Sequence, residues 1–121
     1  MPEPLITERL ELILVHAGKI HQRMQNATDA GYFISSEAGE QLYESLITRL
    51  QAMGENFKKI DRLDKNFVSD ELKLDATPIT RFRDLISHHY ELLDYQIVYK
   101  ICKIEIPNVI TTVENYLLQN R

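Results

Sequence analysis

The chain has 121 residues, a formal net charge of −4 and one cysteine, Cys102. That length suits a single domain, 1–121, with a core that needs no staples, and a lone cysteine excludes an intramolecular disulfide and fits a reducing compartment. The charge, with a pI near 5.5, argues against a broad basic face for nucleic acid, so any contact with RNA must be local.

Cytoplasm is the expected location. Met1 to Glu11 carries Glu3, Glu8 and Glu11 and lacks the basic start and long apolar stretch of a signal peptide. Apolar runs such as Leu12 to Val15 are far short of the roughly 20 residues a membrane span needs. Four glycines, four prolines and no tryptophan fit a helical bundle better than a turn-rich sandwich.

Leu10, Ile13, Ala17, Ile20, Met24 and Ala27 alternate steps of three and four, predicting a first helix over about residues 8 to 28 with Thr7 as its cap. Ser35 or Ser36 is placed to cap a second helix whose stripe runs Leu42, Leu46, Leu50, Met53, Phe57 and Ile60. Glu37, Glu40 and Glu44 near its start and Lys58, Lys59 and Arg62 near its end match the helix dipole. Residues 64 to 77 lose periodicity and are expected to form a solvated, mostly acidic connection. They lack the glycine and ligand spacing of a calcium loop.

Thr77 as cap and Pro78 in the first turn open a third helix, to about residue 89. After a break at Glu91 to Leu93, Asp94 is placed to cap a fourth helix with the stripe Ile97, Ile101 and Ile104. Pro107 is expected to interrupt it, and Ile106, Ile110, Val113 and Leu117 to carry a last one. The fold class is therefore all-α, an up-and-down bundle of four to five helices.

At about 100° per residue, Ile79, Phe82, Leu85, Ile86 and His89 gather on one side of the third helix, the predicted core face. Relative to Arg83, Tyr90 lies about 20° to one side, Ser87 about 40° to the other, Asp84 about 100° and His88 about 140° away. This polar arc is expected to face away from the core. Asp84 and His88 are four apart, so the carboxylate is in reach to orient the imidazole. Arg83 is suited to neutralising a scissile phosphate, and His88 to moving a proton at the attacking or leaving oxygen. The plainer reading of the spacing alone is a set of solvated surface charges.

The string Arg83-Asp84-Leu85-Ile86-Ser87-His88-His89-Tyr90 resembles the HEPN signature of an arginine followed after several residues by histidine. More narrowly it resembles the HepT form: arginine, four residues, histidine, any residue, tyrosine. The segment Leu93 to Ile101 is similar to that family's next helix, and Ile106-Pro107 to the start of its last. One departure is Asp84, where the family often has asparagine.

The resemblance implies a single HepT-like domain over 1–121 and a metal-independent endoribonuclease toxin with Arg83 and His88 as catalytic residues and Asp84 orienting. It implies a homodimer whose motif helices meet in one composite RNA cleft. It also implies a minimal nucleotidyltransferase as antitoxin, which transfers AMP to the tyrosine at position 90. No metal or other cofactor is expected. The alternative is a non-catalytic interaction subunit that binds or presents a substrate to a nucleotidyltransferase.

Other polar residues carry less. His16, Lys19, His21 and Arg23 are read as a solvated helix surface, since His16 and His21 do not share a face. His88 and His89 point about 100° apart, a poor metal pair. His89 is read as packing at the core margin, and Cys102 as a small buried apolar residue.

Overall fold

In the computed structural model the described residues are 3–89 and 94–120, with 87–89 described by backbone alone. Among them are five α-helices and no strand: α1 (Pro4–Arg23), α2 (Glu37–Leu63), α3 (Thr77–His89), α4 (Tyr95–Lys100) and α5 (Ile106–Asn120). No helix among the described residues is long and apolar enough to cross a membrane.

The first helix starts and stops earlier than predicted. Glu3 caps it by accepting the Ile6 N–H at 3.3 Å, Pro4 takes the first turn, and Ile6 joins the core. Past Arg23 the backbone tightens into a 3₁₀ turn, Met24–Asn26, which keeps Met24 and Ala27 buried. A second 3₁₀ turn, Ala30–Ile34, inserts Phe33 against Tyr43 and Tyr99, with ring centroids 5.1 and 6.3 Å apart.

Ser36, one of the two predicted caps, accepts the Gly39 N–H at 3.0 Å and starts α2. Along α2 the predicted stripe is buried from Leu46 to Ile60, with Leu42 partly buried at its head. It packs on Leu10, Ile13, Ala17 and Ile20 of α1, and each such aliphatic side chain contributes roughly 1.5–3 kcal/mol by leaving water. Side-chain bonds Arg9–Asn56, Arg49–His16 and Arg23–Ser45, at 3.3, 3.0 and 2.8 Å, run in opposite order along the two helices and show them antiparallel.

The connection after α2 is not the solvated loop expected. Asn66 takes a left-handed conformation at φ 71°, which asparagine tolerates, and turns the chain into a π-helical turn, Phe67–Glu71. Phe67, Val68, Leu72, Leu74 and Ala76 are buried while Asp70, Glu71, Lys73 and Asp75 stay exposed. The apolar positions alternate with the polar ones from Leu72 to Ala76, so one side of the segment seals the core.

Pro107 does not end the helix it follows. A π-helical turn, Ile101–Glu105, joins α4 directly to α5, and its wider spacing accommodates a residue with no N–H and a ring that crowds the preceding turn. Asp94 caps α4 as predicted, accepting the Gln96 N–H at 2.8 Å. The apolar face differs from the expected one: Val98, Ile101, Cys102 and Ile106 are buried, whereas the expected stripe members Ile97 and Ile104 are 46% and 57% exposed. On α5 the buried residues are Ile106, Val109, Val113 and Leu117, with Ile110 partly buried, and this face packs on α1.

At Gly39 the 3₁₀ turn crosses α2 so closely that an added Cβ would overlap the Tyr32 carbonyl oxygen. Gly39→Ala is therefore expected to destabilise the fold by about 1–3 kcal/mol in urea denaturation, despite alanine's better helix propensity. A stabilised variant would contradict this packing.

Candidate active site

Helix α3 is set by the end of the connection before it. The Asp75 carboxylate accepts the Thr77 N–H at 2.9 Å, and the Ala76 carbonyl accepts the N–H groups of Ile79 and Thr80. Thr77, the predicted cap, is thus the first helical residue. Ile79, Phe82 and Ile86 are buried, but Leu85, expected on the core face, is 37% exposed. It lies about 90° from the mean direction of the other three, too far round to reach the core.

Arg83 does not face away from its neighbours. Its stem lies against α2 at Gly54, where an added Cβ would come 2.5 Å from the Arg83 Cβ and 3.2 Å from the Ile79 carbonyl oxygen. The guanidinium donates to Glu55 Oε1 from Nη2 and, at 2.9 Å, from Nε; Nη1 donates to Asp84 Oδ1 at 3.2 Å. Lys58 Nζ also donates to Asp84 Oδ1. Two cations and two carboxylates from α2 and α3 thus form one partly exposed network.

The network acts on its carboxyl groups. The bonds from Arg83 hold Glu55 below the usual carboxylate range, and those from Lys58 and then Arg83 do the same for Asp84. Glu55 and Asp84 raise the Arg83 pKa further. Depressed carboxyls stabilise the fold at neutral pH, and that contribution fades as the pH falls through their lowered pKa values.

Of the predicted site residues, the structure brings Arg83 and Asp84 together and engages both from α2. His88 lies in the last turn of α3, its backbone four residues beyond Asp84 along the helix. Its side chain and that of His89 lie outside the described side chains, and Tyr90 lies outside the described residues. The sequence reading did not find Glu55 or Lys58. Gly54, an isolated glycine inside a helical pattern, was the available signal of a close approach there.

Two other readings take definite form. His16 is half-buried and its Nδ1 lies 3.0 Å from Arg49 Nη1; since arginine can only donate, the imidazole accepts there, and burial followed by the Arg49 charge lowers its pKa. It is a cross-link between helices, not the solvated residue expected. Cys102 is buried, and desolvation pushes its thiol up to about 12, which makes it inert.

Among the described residues no group of three or more His, Cys, Asp and Glu side chains gathers as a metal site. An open groove of about 690 Å³ lies at the start of α3, where Lys65 and Lys73 are matched by Asp61 and Asp75 over Phe57, Val68 and Leu74. It has no surplus of either charge to select an ion.

Comparison with known families gives a match to "Ribonuclease HepT-like" over residues 13–116, nearly the whole chain and including the α3 motif. The chain belongs to the HepT-like ribonuclease family. No curated protein and no solved structure matches it significantly. The HepT-like match covers the α2 residues Gly54, Glu55 and Lys58 as well as α3, so the charged network lies within the matched segment.

Proposed function

We propose that this protein is an endoribonuclease toxin that cleaves RNA without a metal ion, using Arg83 and His88, with Asp84 orienting His88. The observation that carries the reading is the Arg83 guanidinium, held at a helix crossing on a motif helix of a HepT-like chain. In the RNA-free protein Glu55 occupies the guanidinium. A scissile phosphate is a stronger multivalent acceptor and takes its place, so that Arg83 meets the charge that grows in the transition state. The neighbouring ribose 2′-hydroxyl loses its proton and attacks phosphorus, and the bond to the 5′-oxygen breaks, leaving a 2′,3′-cyclic phosphate and a 5′-oxygen that takes up a proton. His88 handles one of these two proton transfers and solvent the other.

The acidic chain suits a homodimer, because two motif helices meeting at a twofold axis double the positive charge offered to RNA. Leu85, exposed on α3, supplies an apolar contact for a partner helix. Control falls to a partner nucleotidyltransferase: the Tyr90 hydroxyl attacks the α-phosphorus of ATP, pyrophosphate leaves, and the new phosphate occludes the cleft.

A second reading draws on the same pairing. Arg83 saturated by Glu55 and Asp84 is also what a purely structural clamp between α2 and α3 would show, as in a non-catalytic interaction subunit.

Arg83→Ala and His88→Ala are each expected to abolish RNA cleavage, at least a hundredfold on the scale of a lost transition-state donor, with helical content retained. Cleavage by both purified variants would favour the structural clamp, and strict dependence on magnesium in place of activity in EDTA would overturn the metal-independent route. Light scattering at micromolar concentration is expected to give the mass of two chains; one chain in an active preparation contradicts the composite cleft. Incubation with the partner enzyme, ATP and magnesium should add AMP to the wild type and not to Tyr90→Phe. An adduct on another residue, or one that leaves cleavage undiminished, refutes this control.

A further inference from the structure

The carboxyl-terminal half of α2 carries charges that the network around Arg83 does not use up. Taking Glu55 as zero around the helix, Lys58 lies at about −60°, Lys59 at about +40° and Arg62 at about −20°. All four therefore share one face, the face that meets the Arg83 guanidinium. Lys58 is bonded to Asp84, and Lys59 and Arg62 are near enough to Glu55 to act on its carboxylate, yet neither makes a side-chain hydrogen bond or ion pair among the described residues.

Counting Lys58, Lys59, Arg62 and Arg83 against Glu55 and Asp84, four cations face two carboxylates, a local excess of two positive charges on a chain whose net charge is −4. The excess is confined. Asp61 points about 120° from Glu55 into the charge-balanced groove, and the other end of α2 is acidic, with Glu37, Glu40 and Glu44. Along α2 such segregation turns a polyanion away from the acidic end and favours the stripe.

We propose that Lys59 and Arg62, with Lys58, form a binding subsite for the RNA phosphates next to the one held by Arg83. The stripe runs about 10 Å along α2 from Glu55 to Arg62, room for a further one or two phosphates of a single strand. The two ends divide the work. Arg83 meets the reacting phosphate, and Lys59 and Arg62 hold the strand and set its direction across the α2–α3 crossing. When phosphate displaces Glu55 from Arg83, the freed carboxylate remains beside Lys59 and Arg62, which already act on it. This subsite rests on the ribonuclease reading for the identity of its ligand, but not for its geometry.

The test is binding of a 2′-O-methyl RNA oligonucleotide, which cannot be cleaved, to the full chain across a salt series. Lys59→Ala/Arg62→Ala should reduce the slope of log affinity against log salt by about 1.4, at roughly 0.7 per phosphate contact in a single strand. With equal affinities at 1 M salt this is a loss of roughly 25-fold at 0.1 M. Lys19→Ala/Lys103→Ala, which removes two charges elsewhere, should leave the slope unchanged. In cleavage assays the α2 double variant should lose kcat/KM on a long RNA and keep it on a dinucleoside monophosphate, whose one phosphate reaches Arg83 alone.

Wild-type slope and affinity in the α2 double variant would overturn the subsite, as would equal losses in the control variant or no RNA binding by the wild type. A wild type that binds with the predicted slope yet cleaves no RNA would refute the ribonuclease reading and leave the subsite standing.

Discussion

Gly54 lets α3 come onto α2 until the stem of Arg83 and the Ile79 carbonyl fill the space a side chain would take. Any larger residue would have to push against the Arg83 Cβ and the Ile79 carbonyl, separating the helices at the point where their charges meet. Because the approach is close, Glu55 and Lys58, neighbours of Gly54 on α2, reach Arg83 and Asp84 without leaving their own helix. The burial of Ile79, Phe82 and Ile86 beside them locks α3 in rotation, so the guanidinium is presented at the edge of the core and not at the end of a free side chain. Packing thus decides the electrostatics of the site.

Helix number, order and most core positions were legible in the sequence because amphipathic periodicity reports burial directly, as along α1 and α2. It failed where short runs of apolar residues offered more than one face. Along α4 and the turn after it the isoleucines Ile97, Ile101 and Ile104 suggested one face, whereas the buried positions Val98, Cys102 and Ile106 step by four and continue into Val109 and Val113 of α5 within about 100° of arc. The 64–76 connection misled for another reason: its acidic residues dominate the composition, while its apolar residues alternate too briefly to stand out. Leu85 shows the limit of a wheel projection, in which a residue at the edge of a stripe is not distinguished from one inside it.

At the site, the sequence showed which residue types lie on α3 but not what lies across from them. The HepT-like motif pointed to Arg83 and His88, and the family match over 13–116 supports the class of chemistry. That Arg83 carries two carboxylates is a tertiary fact, invisible to any reading confined to one helix. It alters the physical picture of substrate binding. In the proposed mechanism RNA does not meet a bare cation; it exchanges with Glu55 for one, and affinity then depends on how the whole stripe compensates the displaced carboxylate. The aspartate following the motif arginine belongs to the same network, where Lys58 offsets its charge.

This exchange is open to direct observation through the Glu55 carboxyl, which Arg83 holds below the usual range in the free protein. Titrating it by carboxyl carbon NMR, free and saturated with uncleavable 2′-O-methyl RNA, isolates the event on which the mechanism turns. If phosphate takes the guanidinium, the Glu55 midpoint rises toward or above that of an ordinary carboxylate when RNA is bound. An unchanged, depressed midpoint with RNA fully bound would mean that Arg83 keeps its carboxylate partner and that the substrate phosphate lies elsewhere.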